Sequence, residues 1–391
     1  MNEAYIVAAV RTPGGKKGGR LKDWHPADLG GFVIDALLER SGIDPALIED
    51  VVFGCVTQAG EQASNIGRQS VLASSLPHTI PGTTVDRACG SSQQALHFAA
   101  QAVKSGVMDV VLAGGVESMT RSPMGLAAHF PSTHGFGHYQ GPRCQARYPG
   151  IKFSQFDGAE RMIPMYELSK PEFDEFALVS HRSAAYATTS GKFAKEIVPV
   201  PVRDPESGKE SLHDRDEGIR YDASLEVIAS VKPISEGGIL SAAHASQLCD
   251  GAAALLVVNE AGLKKTGLTP LARVHHMSVL GGDPVVMLDV PVAATQAALR
   301  KARMSIGDID LYEVNEAFAP IPLAWAKTVG ADLSKMNVNG GALALGHPLG
   351  ASGCKLMTTL IHALQARNGR YGLQTMCEGG GMANVTIVER L

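Results

Sequence analysis

Aromatic residues are scarce in this chain, at 5% of 391 residues with only two tryptophans, so Ala, Gly, Val and Leu must do most of the packing. No Cys-x-x-Cys pair occurs. The six cysteines, Cys55, Cys89, Cys144, Cys249, Cys354 and Cys377, are scattered, which argues against a metal (zinc) site or a disulfide framework and for a reducing cytoplasm. A long apolar run is also missing from the start: "MNEAYIVAAVRTPGG" holds seven apolar residues in a row with no basic residue before them. That is too short for a membrane span and wrong for a secretory signal, and it reads as a first strand. The formal net charge is only −4, so no global field recruits nucleic acid. Small-molecule partners are expected, although a local basic patch could still hold a phosphorylated ligand.

What is present suits a compact α/β enzyme: 45% hydrophobic and 19% charged residues, with a length that suggests two or three domains or a fused duplication. Strand-like runs such as "EDVVFG" (49–54) and "DVVLAGG" (109–115) alternate with Ala/Leu helical segments, the pattern of a mostly parallel sheet with helices on both faces. A repeat supports duplication. "ALLERSGIDPALIEDVVFG" (36–54) resembles "ALRKARMSIGDIDLYEVN" (298–315), and "CGSSQQALHFAAQAVKSG" followed by "VMDVVLAGGVE" corresponds to "LGASGCKLMTTLIHALQARNG" followed by "RYGLQTMCEGGGM". Both pairs lie about 260 residues apart and in the same order, which favours two copies of one α/β unit. Between the copies, residues 121–245 change character, with the Gly-, Pro-, His- and Tyr-rich "HFPSTHGFGHYQGPRCQARYPG" reading as an inserted loop region. One helix is expected within it, over 170–191, with Ser169 as N-cap, Pro171 in the first turn and Gly191 as the stop. The expected organisation is a first half of 1–120 plus 246–270, an insertion of 121–245 and a second half of 271–391.

Within "VDRACGSSQQALHFAAQ" (85–101), Cys89 stands between a β-branched run and a helix beginning near Ser91. Unpaired backbone N–H groups and the positive helix end would then favour its thiolate; taken alone, it reads as an inert buried cysteine, and only its context changes that. In the second copy, "NGGALALGHPLGASG" (339–353) sets His347 before Pro348. If both residues sit at helix starts after a strand, thiol and imidazole converge as an activated nucleophile. Glycines 340, 341, 346, 350 and 353 imply close backbone approach there. "MCEGGGMA" (376–383) places Cys377 at a strand end before three glycines whose amides can hold an oxyanion. "EVNEAFAP" (313–320) ends a strand with Asn315 and Glu316 among apolar neighbours, where an unpaired polar group would be costly.

Cys-Gly-Ser at 89–91, "GGVESM" at 114–119, "NEAFA" at 315–319, "GHPLGASG" at 346–353 and Cys-Glu-Gly at 377–379, in this order, resemble the thiolases (3-ketoacyl-CoA and acetoacetyl-CoA thiolases) from "VRTPGG" to the C-terminus. The resemblance implies two βαβαβαββ halves in five-layered α-β-α-β-α packing, with a loop domain inserted in the first half. It also implies catalytic roles: Cys89 is acylated, His347 takes its proton and Cys377 acts as acid and base. Asn315, holding a water, and His347 would form one oxyanion hole, and the amides of Cys89 and Gly379 the other. No tightly bound cofactor is implied; coenzyme A is the co-substrate, with Arg220 for its nucleotide end and Ser246 for its pantetheine, and a homodimer or homotetramer is expected.

Two departures from the family pattern stand out. Ala243-His244-Ala245-Ser246 replaces the commoner Gly-Asn-Ala-Ser, and "SQFDGAERM" (154–162) lacks the Met-Gly pair usual over the acyl pocket. The second, with "GCVTQAGEQASNIGR", is similar to thiolases that shorten steroid side chains; a short-chain acetoacetyl-CoA thiolase is the alternative. A decarboxylating ketoacyl synthase would carry His-His or His-Asn partners where this chain has a second cysteine. A papain-like hydrolase would need a Cys-Gly-x-Cys-Trp context, and a non-catalytic CoA-binding scaffold would have no reason to keep both cysteines and the histidine.

Overall fold

The computed structural model describes residues 2–204 and 207–391. Local signals set the elements much as expected. The first strand is Tyr5–Arg11. Helix Pro26–Ser41 begins with proline in its first turn and ends at Gly42 in the left-handed region, φ 67°. Ser169 and Glu172 close a capping box on helix Lys170–Thr189, and Gly191 follows at φ 72°.

Among the described residues one mixed sheet of ten strands carries the fold. Its first part holds Asp50–Gly54 between the parallel strands Gly82–Val85 and Val110–Ser118, then the antiparallel Cys249–Val258 and Tyr5–Arg11. The second part repeats the arrangement: Leu311–Val314 lies parallel to Tyr371–Glu378, which is followed by the antiparallel Met382–Arg390 and Ala272–Gly281. The two parts join where Tyr5 and Ile6 pair with Arg273 and Ala272.

Side-chain burial turns this sheet into layers. Leu29, Val33 and Ile34 of helix Pro26–Ser41, with Ile66 and Val71 of helix Ile66–Leu72, cover the outer face of the first part. Ala298, Leu299 and Trp325, from helices Val290–Ala302 and Pro320–Val329, cover that of the second. Between the two parts, helices Ser91–Ser105 and Ser352–Arg367 pack together, and Leu96, Met357 and Ile361 meet strand residues of both. The result is five layers, α-β-α-β-α. The middle layer is buried on all sides, so a Leu96→Ala truncation there would cost about 2–5 kcal/mol. Gly353 lets the two central helices cross: a Cβ on it would lie 2.1 Å from the backbone nitrogen of Gln93.

The stretch that reads as an inserted loop is more helical than its composition suggests. It forms helices Leu126–Thr133, Pro142–Arg147, Gln155–Met165, Lys170–Thr189 and Leu225–Ser230 and the hairpin Val200–Arg203 with Glu210–His213. The first two of these helices bury no residue, so no apolar stripe marked them in the sequence. No described helix is long and apolar enough to cross a membrane.

Candidate active site

Cys89 is presented by a turn its neighbours hold open. The carboxylate of Asp86 accepts from the backbone N–H of Ala88 at 2.8 Å, and Ser91 Oγ accepts from Arg87 N at 2.9 Å while donating to Ala88 O at 2.6 Å. Ala88 takes φ 45°, a conformation unusual for a residue with a Cβ, directly before the cysteine. The helix Ser91–Ser105 begins just beyond, as expected. The expected thiolate is overturned, because burial pushes the Cys89 thiol up to about 12. Glu378 adds to that rise, against the backbone N–H groups of Cys89 itself and of Gly379. Desolvation thus outweighs the helix end, and the resting nucleophile is a neutral thiol.

His347 does not mirror Cys89. It follows the short helix Ala342–Leu345 rather than a strand, and the next helix begins only at Ser352, because Leu345 N bonds Gly341 O at 2.8 Å and closes a helical turn there. Its ring is fixed at both nitrogens. Nδ1 lies 2.5 Å from Ser352 Oγ, and that hydroxyl donates to Pro348 O at 2.9 Å; Nε2 lies 3.3 Å from Asn315 Nδ2. Since Ser352 spends its proton on a carbonyl and an amide nitrogen can only donate, the network assigns the hydrogen to Nδ1 and leaves Nε2 unprotonated, its lone pair accepting from Asn315 Nδ2. Burial, and then Lys355, pushes the imidazole down to about 3. Lys355 is itself buried and donates to the carbonyls of Leu345 and Gly346, the two residues before His347.

Cys377, 1% exposed, closes the constellation from strand Tyr371–Glu378. Burial raises its thiol well above the usual range, and Cys89 and then Glu378 raise it further, which places the two sulfurs within electrostatic reach of each other. Past the strand, Gly380 and Gly381 take φ 87° and 76°. The loop they shape packs on the nucleophile turn, with the Cβ position of Gly379 3.5 Å from the Cβ of Ala88. Met119 and Leu349 pack against Cys89 and also line a cavity of about 60 Å³ with His347, Ser246, Phe156 and Phe318. The structure therefore brings together Cys89, Cys377, His347, Asn315 and Gly379.

The two residues expected to meet coenzyme A lie along one path. Ser246 lines the cavity beside His347, Arg220 lines an open groove of about 570 Å³ with Lys16, Tyr221 and Gln247, and Gln247 borders both spaces. His244 belongs to neither. It is buried, accepts from Ser241 N at Nδ1 and meets Asp174 at 2.7 Å through Nε2, so its departure from the family pattern is a packing solution.

Sequence reasoning passed over Glu117 and Ser352, and gave Glu316 no partner. Glu117, inside "GGVESM", is buried and accepts from Val56 N, Thr57 N, Gln62 Nε2 and Gly350 N at 2.8–3.1 Å, tying the His347 loop of the second half to the first. Glu316 accepts from Ser180, Asn337 and Leu343 N, so the costly unpaired group is avoided. Ser352 holds His347. An acidic residue within a run of buried strand positions was the available signal for Glu117; nothing in the sequence singled out Ser352.

A layered, duplicated α/β fold enclosing two cysteines and a histidine defines an acyltransferase working through a thiol. Residues 4–261 match the family model "Thiolase, N-terminal domain" and residues 268–390 "Thiolase, C-terminal domain". The chain is 50% identical to the steroid 3-ketoacyl-CoA thiolase FadA6 of Mycobacterium tuberculosis, covering 100% of this chain and 95% of that one. It is 41% identical to a 3-ketoacyl-CoA thiolase of Yersinia pestis over the whole of both chains. The solved acetyl-CoA acetyltransferase of Bacillus anthracis superposes with a TM-score of 0.91 at 36% identity, covering 100% of this chain and 99% of that one. The chain belongs to the thiolase family.

Proposed function

We propose that the protein cleaves 3-ketoacyl-CoA with coenzyme A, reversibly, giving acetyl-CoA and a shortened acyl-CoA. The observation that carries this reading is a pair of buried thiols, Cys89 and Cys377, within electrostatic reach of each other, together with an imidazole whose Nε2 carries no hydrogen and accepts from Asn315. Cys89 Sγ attacks the 3-keto carbon as His347 Nε2 takes its proton, and the oxyanion forms against the amides of Cys89 and Gly379. The C2–C3 bond then breaks. Its electron pair leaves as the enolate of acetyl-CoA, whose oxygen is held by Asn315, through a water, and by the His347 imidazolium, and Cys377 delivers the proton to C2. Free coenzyme A gives its thiol proton to the Cys377 thiolate and attacks the Cys89 thioester, releasing the shortened acyl-CoA, and the departing Cys89 thiolate takes its proton back from the His347 imidazolium. Because thiol and imidazole both rest neutral, charge separates only when a substrate oxygen is present to share it, so each hole stabilises the transition state rather than the free enzyme. The orphaned, buried Oδ1 of Asn315 supports a bound water there.

Arg220 and Ser246, with the 121–245 segment around them, hold the nucleotide and pantetheine. The first-half edge strand Gly82–Val85 has one free side next to the nucleophile turn, which supports a homo-oligomer built through it. Six free cysteines suit a reducing cytoplasm. A bulky, steroid-type acyl group is favoured over a short one by the name of the 50%-identical relative and by the altered segment at 154–162, where Phe156 packs on Phe318 at 5.3 Å.

A panel of 3-ketoacyl-CoA substrates, from acetoacetyl to steroid side-chain thioesters, tests both levels. Acetyl-CoA release with an acyl mass on the Cys89 peptide supports the reaction, and release confined to bulky substrates supports the preference. No acetyl-CoA from any member overturns the reading.

A further inference from the structure

Glu378 takes no part in these steps, yet it stands between Cys377 and Gly379. It is fully buried, and among the described residues neither of its carboxyl oxygens closes a hydrogen bond of ordinary geometry, the backbone N–H of Asn384 acting on it only from nearby. Gly90, the residue after the nucleophile, gives it room: a Cβ there would lie 1.9 Å from Oε1. Among the described residues the charged group that favours its ionised form is Arg87, whose Nε is likewise buried without a partner there and whose Nη1 reaches Met382 Sδ at 3.8 Å. A buried carboxyl left without donors is costly, and such groups cluster where charge is managed.

Resting on the thiolase reading, we propose that Glu378 is a positioning residue that governs thiolate formation: its neutral carboxyl leaves Cys89 and Cys377 free to ionise during turnover, and its carboxylate opposes both. Burial pushes the Glu378 carboxyl up to about 8, with Arg87 and the backbone N–H of Asn384 pulling it down. The other groups around the pair keep to separate roles. Glu117, from strand Val110–Ser118, adds weakly to the rise of Cys89, and Asp86 acts on Cys55; His347 is governed by its own burial and Lys355, while the charge of Arg87 also lowers His97. A carboxyl raised in this way is neutral below about pH 8 and charged above it. Activity should therefore fall as pH rises past 8, where a simple thiol would only gain thiolate.

The test is Glu378→Gln, which keeps the shape against Gly90 and removes the charge, read in two ways: the pH profile of kcat/KM, and the rate of iodoacetamide alkylation of Cys89 followed by peptide mass. The alkaline fall should disappear, and alkylation at pH 9 should rise about tenfold, the change expected for one unit of thiol shift. Arg87→Met provides an opposite arm, because loss of the positive charge should move the alkaline fall of an intact Glu378 to higher pH. Superimposable wild-type and Gln profiles, or an Arg87→Met profile that does not move, overturn the proposal. Alkylation does not need turnover, so a protein that cleaves no ketoacyl-CoA yet shows the alkylation shift would sink the thiolase mechanism and leave this role standing.

Discussion

The Nε2 atom of His347 lies 3.3 Å from Nδ2 of Asn315, the residue just past strand Leu311–Val314, and accepts its hydrogen. That contact holds the imidazole with its basic nitrogen toward the site. Because burial depresses the imidazole to about 3, the neutral form persists far below the usual histidine range. The kcat/KM of thiolysis should therefore stay level from about pH 7 down to about pH 5.5, with no inflection near the ordinary value of about 6.5. A sigmoidal loss centred there would show that His347 is charged at rest.

Ser352 should be worth more than its size suggests. Its hydroxyl takes the Nδ1 hydrogen of His347 and passes its own to Pro348 O. Ser352→Ala leaves a buried N–H without a partner, at about 1–3 kcal/mol, and frees the ring to adopt the other tautomer. A fall in kcat of about 10–100-fold with KM nearly unchanged is expected in steady-state assays; equal rates would mean the tautomer is set elsewhere.

Much of this site was legible because its chemistry sits in short, local patterns. Cys89 before a helix, Cys377 before three glycines and the repeat that pairs the halves are one-dimensional signals, while the five layers were implied by the family resemblance. What stayed hidden depends on distance. The thiolate expected from the helix end failed because burial, which no local pattern reports, outweighed the amides. Ser352 and Lys355 act on His347 through contacts that the loop geometry creates. The helices at 126–147 carry no buried face, so their sequence gave composition without period.

Glu117 joins the halves, and its loss should be felt as stability before activity. Glu117→Ala strips the acceptor from four donors, three of them fully buried, among them Gly350 N in the loop after His347. Destabilisation of about 3–5 kcal/mol is expected in urea unfolding. Glu117→Gln, which keeps one carbonyl acceptor, should recover part of it. A Glu117→Ala protein as stable as the wild type would mean that the two halves hold together without this carboxylate.

A second joint lies beneath the His347 loop, where Arg11 of the first strand meets Asp216 through two bonds of 2.8 and 3.0 Å and Glu196 at 2.7 Å, and Lys355 approaches Asp216 at 3.7 Å. All four are buried. Burial by itself would raise the Asp216 carboxyl, but Arg11 and then Lys355 hold it below the usual carboxylate range. A carboxyl lowered by folding contributes stability that is complete above its unfolded value, near 4, and is lost as pH falls through its folded value. Asp216→Asn should therefore destabilise by about 3–5 kcal/mol at neutral pH, since it leaves Arg11 and Lys355 facing a neutral amide. The gap between variant and wild type should begin to narrow as the pH is taken below 4, because the unfolded carboxyl then binds a proton that the folded one still refuses, and should close as the pH falls through the lower folded value. Urea midpoints measured from pH 7 to pH 3 decide the matter, and a gap that stays constant over that range would assign the loss to altered packing and not to charge.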